Sequence, residues 1–186
     1  MLPDDVLELM ESTEKSVLKS IRISKKVADT LEESARDRKI SVNALISSIL
    51  QEYEEWDRMV EKFSFLELPS KMVRRVFEQI NQDTVVSLGD ELGAELPKEI
   101  MLFWFKQVNA EALLNWLSLL SKYEKFSQLE VSHVGRTIKV FAHHELGKSW
   151  SVWLSHYLAG AVKSAVGVVP VTNITEGIVT LEFNIP

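Results

Sequence analysis

The sequence predicts an α+β protein in two parts: a small strand–helix–helix unit near the N-terminus and a larger α+β unit behind it. Three observations predict this. Residues 16–23 alternate, with Val17, Ile21 and Ile23 on one side and Leu18, Ser20 and Arg22 on the other, which is the period of a strand. Two stretches of helical periodicity come directly after it. Beyond Pro69 the pattern changes to helical segments, then two alternating runs around a glycine, another helical stretch and two final alternating runs.

The bulk composition bounds the class. A chain of 186 residues can hold one ordinary domain or a small domain joined to a second. It has no cysteine, which excludes disulfides and thiolate metal sites and fits a reducing compartment. No apolar run approaches the roughly 20 residues that cross a bilayer. The opening MLPDDVLELMESTEK is acidic where a secretory leader is basic. The expectation is a soluble, cytoplasmic protein with no membrane partner.

The net charge of −6 argues against nucleic acid only until its distribution is read. Residues 1–14 carry five acids and no base. Residues 15–41 carry eight bases (Lys15, Lys19, Arg22, Lys25, Lys26, Arg36, Arg38, Lys39) against four acids, a net of +4. The remaining stretches are −4 over 42–68 and −1 over 69–186, so the excess positive charge is confined to one short segment.

Taken in order, Pro3 followed by Asp4 and Asp5 suits the first turn of a short acidic helix or arm over 1–16. Ser16–Ile23 reads as a strand whose apolar side Lys19 interrupts, and a lone strand must pair with something. Ser24 is a plausible N-cap for a helix to about Arg38, with Val27, Ala28, Leu31 and Ala35 at helical spacing. Lys39-Ile40 makes a turn and Ser41 is a second N-cap. From Val42 onward Leu45, Ile46, Ile49, Leu50, Tyr53 and Trp56 form an apolar stripe that continues through Met59, Val60 and Phe63. The first folded unit is therefore 17–68.

The second unit, 69–186, is expected to hold helices near 70–81, 84–94, 98–107 and 110–123, with Pro97 at a helix start. Val134-Gly135 separates LEVSHVG from RTIKVFAHH as the turn of a β-hairpin. Gly147 to about Val166 reads as a long helix, and Val168–Thr172 and Gly177–Asn184 as closing strands.

The stretch SIRISKKVADTLEESARDRKISVNALISSILQEYEEW resembles the ribbon-helix-helix family, the class of the Arc and methionine repressors and of plasmid copy-number repressors. The likeness consists of a short alternating strand ending in Ser, a helix with Val27, Leu31 and Ala35, a tight turn, and Ile40-Ser41-x-x-x-Leu45-Ile46 opening the second helix. It covers about 40 of the 186 residues. Size leads to the same place, because strand plus two helices is too small to close a core alone. A two-fold copy would pair the strands antiparallel and interlock the helices, and a two-stranded ribbon fits the major groove of B-DNA.

The resemblance implies that the outward residues Leu18, Ser20 and Arg22 read bases. Arg22 could donate twice to a guanine, Ser20 could donate or accept, and Leu18, where the family usually has a polar residue, could touch only a thymine methyl. It also implies a phosphate clamp at the start of the second helix, Ser41, Val42 and Asn43, with Lys25, Lys26 and Lys39 adding counterion-releasing contacts. The expected partners are double-stranded DNA and a second copy of the chain, with a small-molecule effector as a candidate third.

In the second unit four His residues raise a metal site, yet no His-x-His or His-x-x-x-His pair exists, so none is expected. HHELGKSW is the most unusual local sequence. His144, Trp150, Trp153 and Tyr157 are a candidate ligand pocket, although aromatics at this spacing more often fill a core. The hairpin–helix–strand order is similar to that of small-molecule sensor domains related to vinyl reductases, in architecture only. Asp90, Glu91, Glu95 and Glu99 make a poor phosphate-facing surface, which argues against a second DNA-binding motif. No phosphate loop, nucleophile elbow or zinc-protease motif occurs, so neither enzyme activity nor a cofactor is expected. The expectation is a homodimeric transcriptional regulator, a repressor on the family's pattern, whose second unit senses a ligand or extends oligomerisation. The rivals are the antitoxin of a toxin–antitoxin pair, and a small-molecule-binding or enzymatic protein whose first unit only dimerises.

Overall fold

A computed structural model describes residues 17–186; the acidic helix or arm expected over 1–16 lies outside the described residues. The chain divides into two compact units, and the division falls between Phe65 and Leu66.

In the first unit, residues 17–24 belong to no helix or strand. The strand expected there does not form among the described residues, for a physical reason. A ladder needs a second row of amides, and neither helix of the unit offers one. Helix α1 (Lys25–Asp37) starts where expected: Ser24 Oγ accepts from Val27 N at 3.3 Å. Its end is a Schellman turn. Ile40 N donates to Ala35 O and Lys39 N to Arg36 O, both at 3.0 Å, with Lys39 in the left-handed region at φ +56°. Helix α2 (Val42–Glu52) opens on Ser41, whose Oγ accepts from Ala44 N at 3.1 Å. It runs without a break through one π turn, Tyr53–Asp57, into α3 (Arg58–Lys62), so the expected extension of the second helix is present. A π turn inserts a residue and rotates the helix beyond it, and in α3 it is Met59 that is buried.

In the second unit, α4 (Ser70–Phe77) is followed by α5 (Gln82–Phe105), α6 (Ala110–Tyr123), the hairpin β1 (Gln128–Val134) and β2 (Thr137–His143), α7 (Lys148–Val166), and the hairpin β3 (Val171–Ile174) and β4 (Ile178–Asn184). The four strands make one antiparallel sheet in the order β1-β2-β4-β3. One face is buried, with Leu129, Ile138, Val140, Ala142, Val179, Leu181 and Phe183 alternating inward. The other is largely polar, held by cross-strand pairs such as Lys139–Glu182 at 2.9 Å.

Helix α7 is the centre of this unit. It buries Trp150, Val152, Leu154, Tyr157, Leu158, Ala161 and Val162, residues spread around most of its circumference, as a helix packed between a sheet and other helices must. Small residues on both helices, Gly89 and Gly93 on α5 and Gly160 on α7, let their main chains approach.

Two details correct the expectations. The helices expected at 84–94 and 98–107 are one, with Pro97 inside it rather than at a start. Pro97 removes the amide that would bond to Gly93 O and crowds that carbonyl. The helix continues because Val85, Ile100 and Met101 are buried on either side of the defect, and packing outweighs local propensity. The hairpin turn is Gly135-Arg136, one residue later than expected: Val134 pairs with Thr137, and Gly135 takes φ +62°.

Candidate nucleic-acid interface

The residues expected to read bases lie on the segment ahead of α1. Leu18, Ser20 and Arg22 are all exposed, Leu18 to 93%. The apolar residues interleaved with them are also exposed, Val17 to 74% and Ile21 to 70%, so in the single chain neither side of the alternation is covered. Further along, part of the stripe of α2 has the same property. Ile49, Leu50 and Tyr53 are 46%, 64% and 49% exposed. Of the apolar side chains from Val17 to Tyr53, only Ala35 and Leu45 are buried.

The expected phosphate contacts divide by geometry. Lys25 bonds to Asp29 at 2.9 Å, so part of its charge is answered within the helix. Lys26 and Lys39 are exposed. At the start of α2 the cap consumes the Ala44 amide, and Leu45 N bonds to Ser41 O. The amides of Val42 and Asn43 are left with no acceptor inside the helix, beside the positive end of its dipole. Lys39, Ser41, Val42 and Asn43 thus fall together on one turn, the group that the family resemblance had implied.

The candidate pocket of the second unit is only partly assembled. Trp150, Trp153 and Tyr157 do come together: the two indoles are 4.6 Å apart between ring centres, and Trp153 stacks on Tyr157 at 4.9 Å. Phe77 and Phe126 close on Trp150, and Trp116 on Tyr157. This is a packed aromatic core, and burial pushes the Tyr157 phenol above its ordinary pKa.

His144 turns to a different set of partners. Its Nδ1 accepts from Leu146 N at 3.2 Å, and its Nε2 lies 3.0 Å from Ser151 Oγ. An Nδ1 that accepts leaves the ring proton on Nε2, which therefore donates to Ser151, while Ser151 Oγ donates to Glu176 O at 3.2 Å. The pair ties the end of β2, the first turn of α7 and the β3–β4 loop together. It gives Ser151 no base, because the nitrogen facing the hydroxyl already holds a proton. Burial, and secondarily the neighbouring His143, hold the His144 pKa below its ordinary value.

Sequence reasoning missed this junction and one other, the His156 Nδ1–Asp90 Oδ1 contact of 2.7 Å between α7 and α5. Only the first had a local signal, a serine one helical turn behind Gly147. The remaining His residues stand apart, His133 and His143 at opposite ends of the hairpin. Among the described residues no cluster of three or more His, Asp or Glu side chains could hold a metal ion, and no helix is long and apolar enough to cross a membrane.

Comparison with protein-family models, with curated proteins and with solved structures gave no match.

Proposed function

We propose that the chain is a sequence-specific DNA-binding transcriptional regulator that acts as a homodimer, through a ribbon-helix-helix unit formed by residues 17–62 of two copies. The observation that carries this reading is the exposed alternating segment Val17–Ile23, which leads directly into a capped helix–turn–helix whose own apolar stripe is uncovered at Ile49, Leu50 and Tyr53. Burying a Val, Leu or Ile side chain contributes about 1.5–3 kcal/mol. A second copy would cover Val17, Ile21 and Ile23 by strand pairing and Ile49, Leu50 and Tyr53 by helix packing. Leu18, Ser20 and Arg22 would then share the ribbon's open face, and the Val42 and Asn43 amides with Lys39 would meet phosphate.

Two rival readings lose support. An antitoxin of this class carries a short tail that folds on its toxin, whereas residues 66–186 here form a compact unit around a four-stranded sheet. For an enzyme, the buried Ser151–His144 pair has its proton in the wrong place. The second unit is then a sensing or oligomerisation domain.

The test is selection of DNA fragments from a random pool with purified protein, followed by binding of the selected duplex by wild-type protein and Arg22→Ala. Losing a bidentate guanine contact costs about 1–3 kcal/mol on the selected site and little on random DNA. Equal affinity for selected and random duplexes at every salt concentration, or a monomer at micromolar concentration, would overturn the proposal.

A further inference from the structure

Where α5 and α7 meet beside Gly160, the second unit holds an open cleft of about 760 Å³, within the size range of small-molecule sites. We propose that this cleft binds a small hydroxy- or amino-carboxylate, with Lys163 holding the carboxylate and His156 the hydroxyl or amine. The proposal rests on the reading of the second unit as a sensing domain, and gives its effector a chemical class. Side-chain size makes the room. Ala94 of α5 and Ala159 and Gly160 of α7 carry nothing larger than a methyl group, and Val169, Pro170 and Thr172 line the cleft from the entry to β3. Among the described lining residues, Val169 and Pro170 are the only apolar side chains larger than a methyl group, and none is Phe, Tyr or Trp. Apolar contact therefore contributes little, and affinity must come from polar groups.

Some of those groups are already spent. The hydroxyls of Ser155 and Ser164 donate to Val152 O at 2.8 Å and to Ala94 O at 3.4 Å. Asp90 Oδ1 lies 2.7 Å from His156 Nδ1, and an ionised carboxylate only accepts, so the ring proton sits on Nδ1. The neutral imidazole then presents Nε2 as an acceptor, with the ring held in orientation by Asp90. Lys163 and Thr172 also line the cleft, and their side chains bond to no described residue. What remains for a ligand is one ammonium, one hydroxyl and one oriented acceptor. Their order fixes the ligand. Lys163 follows His156 by seven residues, so the two Cα atoms are about 10 Å apart along α7. The ligand's charged group and its donor are therefore several bonds apart. A carboxylate placed at the His156 end would meet the like charge of Asp90, whereas an amine or hydroxyl there would not.

The probes are γ-hydroxybutyrate and γ-aminobutyrate, with butyrate, which lacks the donor, and butanol, which lacks the charge. Each is titrated into the full chain while the ring C–H signals of its four histidines are followed by NMR. The first two probes are expected to shift the His156 signal saturably, with a Kd of about 1 mM or tighter, and to leave those of His133 and His143 in place. Butyrate and butanol are expected to bind about tenfold more weakly, the effect of one lost polar contact. Lys163→Gln, at an exposed position, should weaken γ-hydroxybutyrate by about tenfold as well, because it removes a charge-assisted bond. Lys71→Gln, an exposed lysine outside the cleft, should change nothing. Shifts that grow linearly to about 20 mM overturn the proposal, as do saturable shifts that Lys163→Gln leaves intact. Saturable binding at His156 that leaves affinity for the selected duplex unchanged keeps the site and removes the sensing role instead.

Discussion

Gly160 packs on the main chain of Gly93: a methyl group built at Gly160 would lie 2.6 Å from the Gly93 carbonyl carbon and 2.9 Å from its oxygen. The converse is as severe, since one built at Gly93 would lie 2.5 Å from Tyr157 O. The obstacle is backbone in both cases, so no side chain can move aside. Gly93→Ala is expected to lower stability by about 3 kcal/mol, and Gly160→Ala by a similar amount. Gly135→Asn, at a turn with nothing within 4 Å, is expected to change it by about 0.5 kcal/mol or less. Urea unfolding followed by tryptophan fluorescence checks this, because four of the five tryptophans (Trp104, Trp116, Trp150, Trp153) lie in the second unit.

Lys39 occupies a left-handed position that glycine adopts without strain, at φ +56°. Lys39→Gly is expected to stabilise the first unit by about 1 kcal/mol. The same change removes a candidate phosphate-binding charge. It should therefore weaken binding of all duplexes alike and reduce the salt slope by roughly 0.9 for each phosphate no longer neutralised. A stabler protein that binds DNA less well would separate the two roles of this residue.

Leu50 is 64% exposed in the single chain, so a charge there does little to a monomer. Leu50→Glu is expected to leave helix content unchanged and to shift sedimentation from dimer to monomer at micromolar concentration. DNA binding should vanish with the dimer.

The second unit carries two titrations of opposite sign. His144 has a folded pKa held below the ordinary value of 6.5 by burial and then by His143, so below that pH the unfolded chain takes up a proton that the folded chain refuses. Stability is complete above 6.5 and declines as the pH falls toward the folded pKa. Glu124 has its pKa raised from 4.5 to about 7 by burial, opposed by bonds from Phe126 N and Ser127 Oγ to its carboxylate. Its contribution is largest below 4.5 and declines as the pH rises through about 7. In thermal melts from pH 4 to 9, His144→Gln should flatten the acid limb, and Glu124→Gln should raise Tm above pH 7 by a degree or two, roughly the effect of 0.5 kcal/mol.

Ser151→Ala isolates the proton assignment at this junction. With the hydroxyl gone, Nε2–H of His144 is buried without an acceptor, a loss of about 1–3 kcal/mol. Were Nε2 instead the acceptor, the substitution would raise the His144 pKa toward its ordinary value, which histidine NMR titration would detect.

Legibility in the sequence followed the range of the interaction. Ser24 and Ser41 announce helix starts because a cap and its amide are three residues apart, and both caps formed. Helix α7 and the strands beside it were readable from periodicity. Pro97 misled because its local effect is to end a helix, while what holds α5 together is contact with α7, far away in the chain. The Asp90–His156 junction was hidden for the same reason, since its partners are 66 residues apart, whereas the His144–Ser151 junction spans only seven residues and left a faint local mark in the serine one turn behind Gly147. The segment 17–23 is a different case. Its alternation is plain, yet the ladder it implies needs amides that the described residues of one chain do not supply.

The glycine seam between α5 and α7 has a mechanical consequence. Where larger side chains stand between two helices, they can change rotamer to absorb a displacement. Along this seam there is no such cushion. Sliding of α5 along α7 is therefore opposed by main chain meeting main chain, and a displacement of one helix at this seam pushes directly on the backbone of the other.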